Sequence, residues 1–321
     1  MHAAVVTAFD VPPRYQEFPT PVPRGEDEML VDVLAAGLHP RVRSQASGSH
    51  YTSTGELPLV PGIDGVGRGP DGLLRYFLLS DTAMGTMAEQ TVIDTRRSVV
   101  LPDTIDPVAV AAGMNPAMSS WVALRRRVRF EPGQDVLVLA ATGNAGRMAV
   151  QVAKRLGAHD VIAAGRNPGR LAAIPALGAT ATVLLEGDAG EIADRLGQAA
   201  ADVDVVLDYL WGEPAAAAMV AVVTHRADRS RPLTWIEIGS VAGSTAPIPS
   251  AALRAARLQI VGSGQGSVGT QEIVDELPAI AQEIAAGTLD VDARAMPLTD
   301  VERAWTAASH GGQRIVLTPR P

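Results

Sequence analysis

The chain has 321 residues, 47% hydrophobic and 19% charged, which is long enough for two globular domains of common size. Its formal net charge of −8 argues against nucleic acid or an anionic membrane as a partner, because both need a basic surface. The absence of cysteine excludes disulfides, thiolate nucleophiles and cysteine-ligated zinc. The sequence shows no secretory signal and no apolar run of about 18 residues, so we expect a cytoplasmic protein without a membrane segment.

The pattern of predicted elements changes near Pro116. Before it, short apolar runs such as 3–8 and 29–35 alternate with Pro and Gly turns, which is typical of a small barrel or sandwich. The predicted strands that follow are 136–140, 161–164, 181–185, 203–209, 233–238, 258–261 and 314–317, and the predicted helices are 117–128, 145–156, 169–176, 191–199, 213–223 and 271–286. Alternating apolar strands and amphipathic helices indicate a parallel, doubly wound sheet.

The segment VLVLAATGNAGRMAVQVAKRLGA, which begins at Val136, carries the clearest functional signal. The turn between its strand and its helix consists of Ala141, Thr142, Gly143, Asn144, Ala145 and Gly146. Gly143 allows the backbone to approach a pyrophosphate, Gly146 allows close packing of helix on strand, and the helix N-terminus offers N–H donors. Ala141 replaces the first glycine of the usual G-x-G-x-x-G pattern, and the alternative interpretation is a merely tight turn.

The end of the second strand of this motif distinguishes NADPH from NADH. NAD sites usually carry Asp or Glu there, to bind the ribose 2′-hydroxyl. This chain instead has Gly165, Arg166 and Asn167, with Arg170 one helical turn further on. Because an arginine fork suits a phosphate and no carboxylate repels it, we predict NADPH as the cofactor. The alternative is that Arg166 is a solvated loop charge.

Motifs along nearly the whole chain point to one family. In chain order they are MHAAVVTAF, PTPVPRGEDEMLVDVLAAGLHP, LPLVPGIDGVG, GTMAEQTVI, FEPGQDVLVLAATGNAGRMAVQVAKRLGA, VDVVLDYLWG and WIEIGSVAG. Together they resemble the zinc-independent medium-chain dehydrogenase/reductases, in the quinone oxidoreductase branch. Zinc-dependent relatives have a Gly-His-Glu turn where this chain has Gly62, Ile63 and Asp64, so Ile63 replaces a metal ligand.

The resemblance implies an α/β fold class with two domains. One is a GroES-like β-barrel catalytic domain at 1–117 and 263–321, and the other is a doubly wound parallel-sheet Rossmann domain at 118–262. The active cleft would lie between the domains, at the carboxyl ends of the parallel strands. The resemblance also implies a homodimer in which the strand 258–261 pairs edge to edge with its symmetry mate.

The resemblance further implies which residues border the ligands. The expected cofactor-binding residues are Asn115, Thr142, Gly143, Asn144, Ala145, Gly146, Gly165, Arg166, Arg170, Asp208, Gly239 and Ser240. For Asp208, a structural role as a cap of the following helix is the alternative.

The expected catalytic residues are His39, Tyr51 and Ser119. His39 stands where the family usually has Asn, and it could bind or protonate a carbonyl oxygen or be a loop histidine bonded to backbone. Tyr51 could polarise a substrate carbonyl or cover the rim of the cleft. Ser119 would lie beside the nicotinamide, or it is simply a small residue near a helix start.

The predicted function is hydride transfer from NADPH to a quinone-type acceptor, with neither metal nor flavin. No strong acid/base pair is visible, which fits acceptors that take their proton from solvent. The expected partner is a small quinone or enone. Two alternatives are open: NADPH-dependent C=C reduction of enals, enones or acyl thioesters, and an NADPH-binding redox sensor with little turnover.

Overall fold

The computed structural model describes residues 1–307 and 313–319. Its strands are β1 His2–Val5, β2 Arg14–Glu17, β3 Glu28–Gly37, β4 Asp64–Arg68, β5 Leu74–Leu78, β6 Gln90–Asp94, β7 Ser98–Val100, β8 Val136–Leu139, β9 Val161–Gly165, β10 Ala181–Leu184, β11 Val205–Asp208, β12 Leu233–Glu237, β13 Leu258–Gly262, β14 Ala293–Pro297 and β15 Arg314–Thr318. Its α-helices are α1 Pro40–Ala46, α2 Pro107–Val122, α3 Asn144–Arg155, α4 Pro168–Leu171, α5 Ala189–Ala199, α6 Gly212–His225, α7 Ser250–Ala255, α8 Thr270–Ala285 and α9 Val301–Thr306. Among these helices, none combines the length and the apolar character that crossing a bilayer requires.

The chain divides into two compact units. The first comprises Met1–Asn115 and Val274–Pro321, and the second comprises Pro116–Ile273. The chain passes from one unit to the other within α2 and again within α8. The functional domains expected at 1–117 with 263–321 and at 118–262 remain a prediction.

The first unit is built mainly from antiparallel strands. β1 pairs with β2, and a seven-stranded sheet has the order β14-β15-β3-β4-β5-β7, with β6 also paired to β3. Within this sheet β14 and β15 are parallel, while β15 runs antiparallel to β3 with Val316 opposite Gly37. The pairing of β15 with β3 brings the C-terminal strand to the start of α1, where His39 lies.

The second unit contains a six-stranded parallel sheet of order β10-β9-β8-β11-β12-β13. Counted along the chain this order is 3-2-1-4-5-6, which is that of a Rossmann sheet. Both neighbours of β8 are in register with it, so Leu139 lies opposite Ala164 on β9 and opposite Asp208 on β11. Side chains such as Leu137 and Trp235 are fully buried on it. The predicted parallel, doubly wound sheet is confirmed.

Two helices differ from their predictions. Instead of beginning at residue 117, α2 begins at Pro107, continues through Pro116 and is followed by a π-helical turn at Ala123–Arg127. An internal proline costs a helix about 3 kcal/mol, and the extensive burial of α2 offsets that cost. The predicted helix 169–176 is instead the short α4 followed by a 3₁₀ turn at Ile174–Leu177, because Pro175 cannot continue an α-helix.

Candidate active site

The turn from β8 into α3 is tightly constrained. Ala140 has a left-handed φ of 62°, the N–H of Ala141 donates to the carbonyl of Ala164 at 2.9 Å, and the N–H of Gly143 donates to Ala140 at 3.0 Å. A Cβ on Gly146 would collide with the carbonyl of Ala140 and would lie 2.7 Å from the Cα of Ala141. Glycine at 146 is therefore required by the packing of helix on strand.

Gly143 has no such structural reason to be glycine. Its φ of −85° and ψ of 165° are open to any residue, and an added Cβ would meet only the Ala140 carbonyl at an ordinary 3.5 Å. Gly143 is also the N-cap of α3 and, as glycine, has no side chain that could accept a hydrogen bond from the first turn of this helix. The helix thus begins at an exposed glycine without a capping side chain, and the N–H groups of its first turn and the positive end of its dipole suit a pyrophosphate.

The end of β9 packs directly against this turn. A Cβ on Gly165 would lie 2.5 Å from Cγ2 of Thr142, so glycine there lets the Thr142 methyl group rest on the strand. Arg166 follows and is exposed, and it has no hydrogen bond or ion pair to any residue in 1–307 or 313–319. Asn167 caps α4 by accepting from the N–H of Arg170 at 2.9 Å, which fixes the backbone that carries both arginines.

Asp208, at the carboxyl end of β11, is fully buried, and three protein donors hold its carboxylate. Oδ1 accepts from the N–H groups of Leu210 at 2.8 Å and Trp211 at 3.0 Å, and Oδ2 accepts from Nε1 of Trp235 at 2.9 Å. Burial raises the pKa of Asp208, and these hydrogen bonds oppose the shift. The carboxylate thus organises the turn before α6, and a contact with cofactor remains a prediction.

Two residues predicted to border the nicotinamide, Ser119 and Gly239, lie beside Tyr209 in the second unit. The Tyr209 hydroxyl lies 3.0 Å from the Ser119 Oγ on α2. A Cβ on Gly239 would lie 3.7 Å from Cδ1 of the same ring. Ser240 follows and is exposed, and Asn115 is half-buried one turn before Ser119 on α2. Tyr209 is not among the predicted site residues, because no local signal in the sequence links it to Ser119, 90 positions earlier.

In the first unit, His39 is buried against a carboxylate rather than against backbone. Its Nε2 lies 3.1 Å from Oδ1 of Asp64, close enough for an ion pair but not aligned for a hydrogen bond. A Cβ on Gly37 would lie 2.5 Å from the same Nε2, so glycine there leaves room for the imidazole. Burial lowers the pKa of His39, and the Asp64 carboxylate opposes only part of that shift.

Asp64 is the centre of a buried polar cluster. Its Oδ2 accepts from the Tyr76 hydroxyl at 2.6 Å, and its backbone carbonyl accepts from Thr86 Oγ1 at 2.8 Å. Nearby, buried Arg314 donates to the carbonyl of Leu38 at 3.0 Å, and burial lowers the pKa of its guanidinium to about 10. Sequence reasoning placed Asp64 in the PGIDG turn but missed this cluster, since nothing local links residues so far apart in the chain.

Tyr51 lies at the surface of the first unit. Its side chain is 74% exposed, and its ring is tilted against that of His50 with the centroids 4.4 Å apart. This placement fits the alternative in which Tyr51 covers a rim better than one in which it polarises a carbonyl.

A group of side chains at the opposite, amino ends of β8 and β9 has metal-like spacing. Asp135, His159 and Asp160 offer ligand atoms within 4.8 Å of one another. The carboxylate of Asp135 already accepts from the N–H of Asp160 at 3.0 Å and lies 4.0 Å from the Arg231 guanidinium. These contacts satisfy the group within the protein.

Comparisons with known proteins agree with this architecture. The family model described as zinc-binding dehydrogenase matches residues 145–282. The chain is 31% identical, over 99% of its length and 100% of the relative, to a probable NADPH-dependent quinone reductase of Emericella nidulans. It superposes on the crystal structure of the quinone oxidoreductase from Thermus thermophilus with a TM-score of 0.82 and 26% identity, over 99% of this chain and 100% of that one.

A second relative matches a shorter part of the chain. The chain is 29% identical to an NADPH-dependent alkenal/one oxidoreductase of Arabidopsis thaliana, over 48% of this chain and 44% of that relative. The α/β fold class with a Rossmann sheet is thus confirmed, as is a nicotinamide cofactor. The chain is an oxidoreductase and belongs to the zinc-independent medium-chain dehydrogenase/reductases, in the quinone oxidoreductase-like branch.

Proposed function

We propose that this protein uses NADPH to reduce a quinone-type acceptor, by hydride transfer without metal or flavin. The observation that carries the proposal is the exposed Arg166, which directly follows Gly165, where the end of β9 packs against Thr142 of the β8–α3 turn. This arrangement offers a cation for the ribose 2′-phosphate next to N–H donors for the pyrophosphate. The names of the Emericella and Thermus relatives, which specify NADPH and quinone, support the same interpretation.

The proposed contacts with NADPH come from residues of the second unit and from Asn115, which immediately precedes it. The first turn of α3, with Thr142, would hold the pyrophosphate, and Arg166 with Arg170 would hold the 2′-phosphate. The nicotinamide end would lie against the residues at the carboxyl ends of β11 and β12 and on α2, which are Asn115, Ser119, Asp208, Gly239 and Ser240. When bound, the nicotinamide supplies a hydride.

The overall reaction needs little acid/base chemistry from the protein. One hydride and one solvent proton convert a quinone into a hydroquinone and leave NADP⁺. The protein aligns the two reactants and excludes water.

The three proposed catalytic residues differ in their surroundings. Those of half-buried Ser119 favour contact with the cofactor, while the burial of His39 favours a role in positioning the 37–40 segment. Tyr51 is proposed to lie at the rim.

A second candidate is NADPH-dependent reduction of the C=C bond of enals, enones or acyl thioesters. The similarity to the Arabidopsis relative, an NADPH-dependent alkenal/one oxidoreductase, favours it. Both reactions use the same hydride donor, so the residues around the nicotinamide support each of them. A redox sensor that binds NADPH with little turnover is the alternative from another class.

The test is the rate of NADPH oxidation with a panel of acceptors, namely benzoquinone, phenanthrenequinone, cyclohexenone and crotonyl-CoA. We expect turnover with the quinones. Turnover with the enone or thioester alone would assign the protein to C=C reduction. Binding of NADPH without turnover on any acceptor would favour the sensor.

We also propose a cytoplasmic homodimer. In the described parts of the chain, β13 is the last strand of the parallel sheet and pairs on one side only, with β12. An open strand edge of this kind can pair with its symmetry mate. Sedimentation at micromolar concentration tests the dimer, and a species of 33.4 kDa alone would contradict it.

A further inference from the structure

The loop after β11, residues 209–212, and the loop after β12, residues 238–243, are joined by backbone hydrogen bonds. Two N–H groups at the start of the 238–243 loop donate to the carbonyl of Asp208, at 2.8 Å and 3.2 Å. Further along, the N–H of Ala242 donates to the carbonyl of Leu210 at 2.8 Å. The position of one loop therefore fixes the position of the other.

The 209–212 loop has a backbone conformation that its sequence does not favour. Trp211 has a positive φ of 49°, which is uncommon for a residue other than glycine. Gly212 follows with a φ of 68°, and a Cβ there would lie 2.8 Å from the carbonyl oxygen of Ala242. Such a conformation persists only where the surrounding contacts enforce it.

The carboxylate of Asp208 supplies these contacts. Its Oδ1 accepts from the N–H groups of Leu210 at 2.8 Å and Trp211 at 3.0 Å. Its Oδ2 accepts from Nε1 of Trp235 at 2.9 Å. Backbone and indole N–H groups can only donate, so the direction of all three hydrogen bonds is fixed. The side chain is fully buried, and its two oxygens are used within the protein.

We propose that Asp208 is a positioning residue, whose carboxylate holds the 209–212 loop, and through it the 238–243 loop, in the shape that receives the nicotinamide half of NADPH. The inference rests on the proposed function, which assigns the nicotinamide to the carboxyl ends of β11 and β12. It adds that Asp208 acts through the two loops and not by contact with the cofactor. Loops that are fixed before binding lose less freedom when the ligand arrives, which increases affinity.

The test compares NADPH with adenosine 2′,5′-bisphosphate, which carries the 2′-phosphate half of the cofactor and lacks the nicotinamide. Isothermal titration gives the two dissociation constants and their ratio for each variant. Asp208→Ala removes both acceptor oxygens, so NADPH affinity should fall about tenfold or more, the range for lost hydrogen bonds to a charged group. Affinity for adenosine 2′,5′-bisphosphate should hardly change, because Arg166 and the first turn of α3 are untouched.

Asp208→Asn gives a finer test, because an amide has one acceptor oxygen where a carboxylate has two. That oxygen can serve either the 209–212 loop or Trp235, and the amide NH₂ group then faces a donor at the other position. NADPH affinity should therefore fall in this variant as well. In a Trp235→Phe background the competing N–H is gone, so Asp208→Asn should have little further effect, while Asp208→Ala should keep its full effect.

Asp204→Asn is the matched control. Asp204 is a half-buried aspartate just before the amino end of β11, where it accepts from Nη2 of Arg231 at 2.7 Å. Its loss changes a buried charge pair at the opposite end of the same strand. Whatever its effect on stability, the ratio of the two dissociation constants should stay that of the unaltered protein.

Hydrogen exchange of the unaltered protein, followed by NMR, keeps the inference testable even if the Asp208 variants do not fold. The amides of Leu210, Trp211 and Ala242 should exchange slowly before any ligand is added, since each is bonded within the protein. Fast exchange at these amides contradicts the inference.

The binding outcomes distinguish this inference from the function on which it rests. Equal affinity of the unaltered protein for both ligands, or an unchanged ratio in a folded Asp208→Ala, overturns the inference while NADPH binding stands. Failure of the unaltered protein to bind NADPH would instead contradict the proposed function.

Discussion

Nε2 of His39 lies 3.1 Å from Oδ1 of Asp64, and neither side chain is more than 1% exposed. Placing a histidine and a carboxylate together out of water has a consequence for stability, because burial disfavours the charged imidazole. The net effect is a pKa for His39 below its ordinary 6.5, even with Asp64 beside it.

The stability of the protein should therefore depend on pH through His39. Between the lowered pKa of the folded state and 6.5, the unfolded chain binds more protons than the folded chain, so stability falls as the pH is lowered through this window. His39→Asn removes the titrating group. We expect its melting temperature to fall less than that of the unaltered protein between about pH 7.5 and about pH 5.5. An equal fall in melting temperature for His39→Asn and the unaltered protein would show that His39 does not titrate in this way.

The hydrogen bond from Tyr76 to Asp64 should contribute to the free energy of unfolding. Both groups are buried, and the 2.6 Å bond supplies a donor to a carboxylate that water cannot reach. Tyr76→Phe should destabilise the protein by about 1–3 kcal/mol, measured by urea unfolding. Tyr15→Phe is the matched control and should have a much smaller effect, since Tyr15 is only half-buried. Similar small effects of both substitutions would show that the bond contributes little.

Two glycines of the β8–α3 turn should respond differently to alanine. Gly143→Ala meets only one ordinary contact, so the protein should keep its melting temperature, while NADPH affinity falls about tenfold or more because the methyl group occupies the space of the pyrophosphate. Gly146→Ala places its methyl group against the Ala140 carbonyl and should destabilise the fold by about 1–3 kcal/mol. Tight NADPH binding by Gly143→Ala would contradict the assignment of the turn.

Arg166 should matter for NADPH and not for NADH. Arg166→Ala removes a charge-assisted contact to the 2′-phosphate, so NADPH binding should weaken by ~1–3 kcal/mol, while NADH binding should hardly change. Arg129→Ala, whose side chain is 94% exposed, is the control for losing one positive charge. Titration of each variant with both cofactors gives the comparison, and equal losses for NADPH and NADH would disprove the role of Arg166.

The second unit was largely predictable because its signals are local. Apolar strands, the glycines at 143 and 146 and the strand end at Gly165 follow one another within a short stretch, and each has its own physical reason. The parallel sheet and the position of Arg166 at the end of its second strand follow from that motif. The extent of α2 was not predictable, since Pro116 normally marks a helix boundary and only tertiary burial keeps the helix intact.

The polar pairs of the candidate site could not be predicted from sequence. His39 and Asp64, like Ser119 and Tyr209, are far apart in the chain and meet through sheet and helix packing. The position of Asp208 at a strand end was predictable, but the hydrogen bonds that its carboxylate accepts from Trp235 and from the following turn were not. Spacing along a chain identifies such residues as candidates, and only their neighbours in space decide between a ligand contact and a structural contact.

The central claim is NADPH-dependent quinone reduction, and its most direct test is kcat/KM for phenanthrenequinone reduction, measured with NADPH and with NADH. The account predicts turnover and a preference for NADPH of about tenfold or more, from the contact of Arg166 with the 2′-phosphate. No turnover with the quinone, or an equal or higher kcat/KM with NADH, would contradict it.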